Sequence, residues 1–203
     1  MRTIANVSRT LMLVALTAPL AACDDFLSVE TPNVIDADTI DPSADPRVLS
    51  LSAQQNLATA VGLANLHSGY VVWEAWNGFP TVQLEDFGLR SVAPDNPLLS
   101  SNVWAPLSIA LRSADVAVET LREGTGDQVR LEEVRSSMVG GFAAVYIAEI
   151  FCQGVVNGGP PLTTVEMLDA AIVRFTDAIT GGTALAASTT GATQATARTI
   201  VNA

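Results

Sequence analysis

From Trp104 to Leu121 the residues Trp104, Leu107, Leu111, Ala114, Val118 and Leu121 recur at spacings of 3, 4, 3, 4 and 3. That rhythm places all six on one face of an α-helix; a strand, whose side chains alternate, could not gather them on one side. It predicts a helix over residues 102–122, ended by Gly124 and Gly126. The same period recurs along most of the chain. A first helix is expected to open at Asp45-Pro46, with aspartate as cap and proline in the first turn. Val48, Leu51, Leu57, Val61 and Ala64 would form its stripe, and it would reach Leu66 or continue as far as Trp76. A third helix is expected from Asp127, with Leu131, Val134, Met138, Phe142 and Val145 facing inward. Between Met138 and Cys152 only Glu149 is charged, so that segment should be buried on most sides. Gly140-Gly141 would let a neighbouring helix approach closely. After a Gly/Pro loop over residues 153–162, Thr163 and Glu166 read as a capping box opening a fourth helix. Met167 or Leu168, Ala171, Ile172, Phe175 and Ile179 line that helix, and Gly181-Gly182 are expected to stop it. A small-residue linker over 183–193 and a fifth helix from near Thr193, cut off at Ala203, complete the reading. With no convincing set of strands, the chain is expected to be all-α: helical hairpins joined by loops.

One connection departs from this pattern. Residues 77–102 hold Gly78, Pro80, Gly88, Pro94 and Pro97 and show no sustained period, which predicts an irregular segment. Loops of this length are uncommon inside compact domains and are often functional. The window 70–102 also holds Tyr70, Trp73, Trp76, Phe79 and Phe87, five of the eleven aromatic residues. Glu74, Asn77, Asp86, Arg90, Asp95, Asn96 and Asn102 are interleaved with them. Aromatic rings can stack on the C–H faces of sugars while carboxylates, amides and arginine hold the hydroxyls. The candidate ligand residues are therefore Trp76 for stacking and Asp86, Arg90 and Asn96 for hydrogen bonds. The competing expectation is that Trp73 and Trp76 are core residues closing the first helix pair. Trp104, on its helix stripe, is expected in the core.

At the amino terminus Arg2 and Arg9 precede the apolar run Leu11–Leu20, and no acid appears before Asp24. This is the order of a secretory signal peptide. The run is too short to span a bilayer, which needs about 20 apolar residues. Leu20-Ala21-Ala22-Cys23 resembles the bacterial lipobox, which implies cleavage before Cys23 and attachment of lipid to its sulfur. The segment that follows is acidic, carries Pro32, Pro42 and Pro46, and has no basic residue before Arg47. It reads as an extended tether.

The charge balance excludes several functions. The chain carries 21 acids against 10 basic residues, for a net charge of −11, and all ten basic residues are arginine. Nucleic-acid binding and adhesion to an anionic bilayer both need clustered positive charge. Lipid on Cys23 would leave Cys152 without a disulfide partner, and its apolar neighbours predict a small buried hydrophobe. His67, the lone histidine, offers little material for a histidine-based triad or a two-histidine metal site. It reads as a polar cap or surface residue. Glu132-Glu133 read as solvated helix-surface acids. Glu149 is expected either to be buried with an arginine or to face a groove. No phosphate loop or dinucleotide fingerprint occurs. No enzyme activity, cofactor or metal is expected.

Four features then stand in order. Cys23-Asp24-Asp25-Phe26-Leu27 is followed by a helix with Trp104, Ile109 and Ala114-Asp115. Next comes a long apolar helix with Tyr146, leading to Gly154 and Pro160-Pro161-Leu162. Last is a Thr/Glu-capped helix ending in Phe175-x-x-Ala178-Ile179. In this order they resemble the amino-terminal part of the SusD/RagB family of outer-membrane nutrient-binding lipoproteins. The chain departs from the family pattern at Ser108, where a tyrosine is common, and at Asp115, where asparagine is common. Ala171-x-x-x-Phe175-x-x-Ala178 also resembles the second helix of a tetratricopeptide unit. The resemblance implies a signal peptide over 1–22, a tether over 23–45, and over 46–203 the amino-terminal helical portion of an incomplete, tetratricopeptide-like SusD domain. It further implies lipid anchorage in the outer membrane with exposure at the cell surface. The expected partners are an oligosaccharide or similar nutrient and a SusC-type TonB-dependent transporter. The alternative is a helical-repeat envelope lipoprotein that acts as a scaffold and binds no ligand.

Overall fold

A computed structural model describes residues 41–76, 78 and 81–203. The signal peptide, Cys23, most of the tether, Asn77 and Phe79 lie outside the described residues. Among those described there are six α-helices: α1 (Pro46–Val71), α2 (Val82–Gly88), α3 (Ala105–Glu123), α4 (Asp127–Ile150), α5 (Thr164–Ser188) and α6 (Gly191–Val201). The sole strands among them, β1 (Gln153–Gly154) and β2 (Leu162–Thr163), form a two-residue antiparallel pair between α4 and α5. The all-α expectation holds. None of the described helices is long and apolar enough to cross a membrane.

Each long helix packs against its neighbours in sequence, and α1 lies against both α3 and α4. The principal core joins Ala60 and Ala64 of α1, Leu107, Ala110 and Leu111 of α3, Ala143, Ala144 and Ile147 of α4, and Met167 and Ala171 of α5. So many alanines draw the backbones together. This explains why the inward face of α1 is Leu49, Ala53, Ala60 and Ala64, whereas Val48 and Leu51, expected on the stripe, are exposed. A second core of Leu131, Val134, Ala178, Leu185, Ala197 and Ile200 locks α6 onto α4 and α5.

The predicted close approach at Gly140-Gly141 is present. A Cβ on Gly141 would lie 2.6 Å from the Phe175 ring, and one on Gly140 would lie 3.1 Å from the Arg174 stem. Gly181-Gly182, by contrast, do not stop a helix, because α5 runs through them to Ser188. Their role is the same as that of the α4 pair. A Cβ on Gly181 would meet Val134, and one on Gly182 would meet Val201, each at 2.8 Å. The gain from close packing of α4 and α6 outweighs a helix-propensity cost of about 1 kcal/mol per glycine. The expected linker over 183–193 shrinks to Thr189-Thr190.

The α5 cap is as expected. The Thr163 hydroxyl oxygen accepts from the Glu166 amide, and the Glu166 carboxylate accepts from the Thr163 amide at 2.7 Å. Asp45 occupies the cap position of α1, but its side chain makes no capping hydrogen bond there; Pro46, which has no amide hydrogen to satisfy, opens the helix instead. Cys152 is exposed, not buried, because the chain leaves α4 at Phe151 and turns into the β1–β2 pair.

Candidate functional site

The segment after α1 is more ordered than its sequence period indicates. Helix α1 continues beyond Leu66 to Val71, and Glu74 and Ala75 then donate their amides back to the Gly69 carbonyl at 2.9 and 3.1 Å. This reversal passes through Trp73 at φ +66°. A left-handed backbone at a bulky side chain is an outlier that costs about 1–3 kcal/mol and persists only where the surroundings enforce it. The reversal leaves two tryptophans on the surface, Trp73 at 59% and Trp76 at 77% exposure. Their rings stand 5.5 Å apart, tilted by 53°. Neither is the core residue of the competing expectation.

The region read as a loop contains α2, which forms the facing wall. Phe87 is its anchor, buried against the His67 ring at 4.9 Å. His67 is itself buried, not a surface cap, because α2 covers it. Its Nδ1 lies 2.7 Å from the Leu63 carbonyl, which assigns the proton to Nδ1. No partner reaches Nε2 among the described residues.

Asn96 fixes α2 from outside. Its amide nitrogen donates to the Gln83 carbonyl and to Asp86 Oδ2, both at 3.0 Å. Its amide oxygen accepts from the Leu98 amide at 2.9 Å and the Leu99 amide at 3.4 Å. Asn96 is buried with both ends of its amide engaged, so it is a brace and not a ligand contact. Asp86 shares that brace. Arg90, at φ +57°, donates from Nε to the Val71 carbonyl at 2.9 Å and so ties the end of α2 to the end of α1. Of the four candidate ligand residues, only Trp76 lines the cleft between the two walls.

That cleft has a volume of about 110 Å³ and is lined by Tyr70, Trp73, Ala75 and Trp76 on one side and Leu84, Glu85, Gly88 and Leu89 on the other. Sequence reading passed over Glu85. The signal was the helical period inside the supposed loop: positions 84, 85, 88 and 89 share one face of α2, and 86 does not. Larger hollows occur elsewhere, about 390 Å³ between α4 and α5 and about 360 Å³ beside Trp104. Neither presents an exposed aromatic pair. Trp104 is half-buried and meets Phe151 edge-on at 5.0 Å.

The other polar residues singled out from the sequence lie away from this cleft. Glu149 is exposed, and among the described residues it has no arginine partner. The acid that is buried is Glu132, at 0% exposure, and not solvated as its adjacency to Glu133 suggested. It accepts from the Ser50 hydroxyl, from Gln128 Nε2 at 2.7 Å and from Arg135 Nη1 at 2.7 and 2.8 Å. Ser50 of α1 reaches it from 82 residues away, which no pattern within α4 reveals. Among the described residues no group of three or more histidine, cysteine or acidic side chains is placed to hold a metal. Comparison with protein-family models, with curated proteins and with solved structures finds no match.

Proposed function

We propose that this chain is a surface lipoprotein of the SusD/RagB type, anchored in the outer membrane through Cys23, that captures a glycan or similar nutrient. It hands the ligand unchanged to a TonB-dependent transporter of the SusC type. The observation that carries the ligand-binding part is the outward-facing pair Trp73–Trp76 on a strained reversal, opposite a wall supplied by α2. Exposed aromatic planes with an adjacent carboxylate match what sugar binding requires, and large apolar side chains held in water at a backbone cost call for a ligand. Two of the helix junctions, residues 124–126 and 189–190, are short turns, which supports reading the scaffold as tetratricopeptide-like. The anchor and the address rest on the sequence around Cys23 and on the order of motifs that follows it.

A titration of the full chain against an oligosaccharide panel, followed by tryptophan fluorescence and calorimetry, tests the reading. The expected result is saturable binding to at least one oligosaccharide, lost in Trp76→Ala without loss of thermal stability. A chain that binds no soluble glycan yet is recovered with other envelope proteins would establish the scaffold reading in its place. Anchorage is tested separately: Cys23→Ser should abolish radiolabelled-palmitate incorporation and release the protein from the membrane fraction.

A further inference from the structure

The chemistry of the cleft narrows the ligand. At about 110 Å³ it is smaller than the roughly 300–1,000 Å³ of pockets that enclose a whole drug-sized ligand. It therefore holds one chemical group of a larger molecule. Three of its lining side chains are aromatic: Tyr70, Trp73 and Trp76. The face of an aromatic ring is the negative end of its quadrupole, and two tilted rings with a third beside them concentrate that potential. The one charged residue in the lining is Glu85, also negative. Among the described residues Glu85 has no salt-bridge partner. Arg90, the cation nearest in sequence, is not in the lining and directs its Nε to the Val71 carbonyl. An anionic group would meet both Glu85 and the ring faces unfavourably. A neutral sugar would gain stacking and hydroxyl hydrogen bonds to Glu85 but no charge attraction. A cation gains that attraction from both Glu85 and the rings, and the chain's net charge of −11 raises the local concentration of cations.

We infer that the cleft takes an organic ammonium group, so that the ligand is an amine-bearing saccharide or a small ammonium compound in preference to a neutral sugar. This inference rests on the cleft being the ligand site. A cation over these exposed rings with a carboxylate beside it should improve binding by about 10-fold over its neutral counterpart, the rings and the carboxylate each contributing a few-fold.

The test uses the full chain and three probes in mildly acidic buffer: the β-1,4-linked glucosamine trimer, cellotriose and choline. The two trimers differ only in carrying an ammonium or a hydroxyl at C2. The expected result is tighter binding of the glucosamine trimer by about 10-fold, competition by choline, and loss of the preference as pH rises and the sugar amines deprotonate. Glu85→Gln should cut the preference to the few-fold that the rings alone supply, while Glu123→Gln, an exposed acid at the end of α3, should leave it unchanged. Cellotriose binding as well as the amino trimer would overturn the ammonium inference and leave the glycan reading standing. Choline binding with neither trimer bound would do the reverse. An equal effect of Glu85→Gln and Glu123→Gln would assign the preference to overall charge and overturn the inference. Binding of none of the probes would overturn it together with the assignment of the site.

Discussion

Arg174 on α5 holds Asp115 on α3 through two parallel hydrogen bonds, Nε to Oδ1 at 3.0 Å and Nη2 to Oδ2 at 2.8 Å. The two helices are separated in sequence by all of α4, and the arginine reaches across because Gly140 leaves room for its stem. Both side chains are largely buried, at 16% and 12% exposure, so desolvation is costly and the paired geometry must offset it. Asparagine at position 115, the commoner residue in the resembling family, could accept only one of these bonds. Asp115→Ala is expected to destabilise the fold by about 2–3 kcal/mol, less than a fully buried pair would lose because some solvent reaches it. Gly140→Ala should cost about 1–2 kcal/mol by displacing the Arg174 stem. The double variant should lose less than the sum, since both act on one interaction. Urea titration of the four proteins measures this coupling.

The buried Glu132 makes a sharper prediction. Its carboxylate collects donors from α1 and α4 and is 0% exposed. Glu132→Ala strands the Arg135 guanidinium and should cost about 3 kcal/mol or more. Ser50→Ala removes one donor of several and should cost about 1–2 kcal/mol. Chemical denaturation that gives Ser50→Ala the larger loss would show that the α1–α4 junction depends on the serine and not on the acid.

Acid should loosen the start of α5. The Thr163 amide and hydroxyl both donate to Glu166, and these bonds hold its carboxyl below the usual glutamate pKa. A lowered folded-state pKa contributes stability that is fully present above the unfolded value and is lost as pH falls through the folded one. The difference in Tm between the native chain and Glu166→Ala should therefore be present at neutral pH. It should begin to shrink below the ordinary glutamate pKa and close once the lowered value is passed. Thr163→Ala should cost about 1 kcal/mol at neutral pH through loss of the cap. A Tm gap that persists unchanged in acid would refute the ionic part of the cap.

Much of the scaffold was legible because its signals are local. The stripe from Trp104 to Leu121 and the Thr163–Glu166 box depend on residues within a few turns, and the adjacent Gly140-Gly141 pair by itself marks a close approach, though not its partner. What escaped depends on partners far away in sequence. Gly181-Gly182 read as a stop until Val134 and Val201 are seen against them. Glu132 read as solvated until Ser50 is placed on top of it, 82 residues away. The candidate site was half legible. Aromatic density marks the window that holds the cleft, and Trp76 lines it. By sequence Asp86, Arg90 and Asn96 read as residues of an irregular loop, where any polar side chain could turn to a ligand. Helix α2 carries Asp86, and the turns after it direct Arg90 and Asn96 to the Val71 and Gln83 carbonyls instead.

Trp73 separates stability from binding more cleanly than any other position. Its φ of +66° is a conformation that glycine adopts without steric cost. Its ring is 59% exposed, so little apolar burial is lost on removing it. Trp73→Gly should leave the fold as stable as before or more stable, by up to about 1 kcal/mol, because relief of the left-handed strain offsets the lost ring contacts. Trp73→Ala keeps most of that strain and should be the less stable of the two. Both variants remove half of the Trp73–Trp76 pair and should weaken ligand binding alike. Thermal melts beside a binding titration distinguish the outcomes. Should Trp73→Gly prove markedly destabilised, the tryptophan is holding the α1 reversal in place as a structural residue. Should it bind ligand as tightly as the native chain, Trp76 alone forms the stacking surface, and the strained backbone at position 73 serves only to turn the chain.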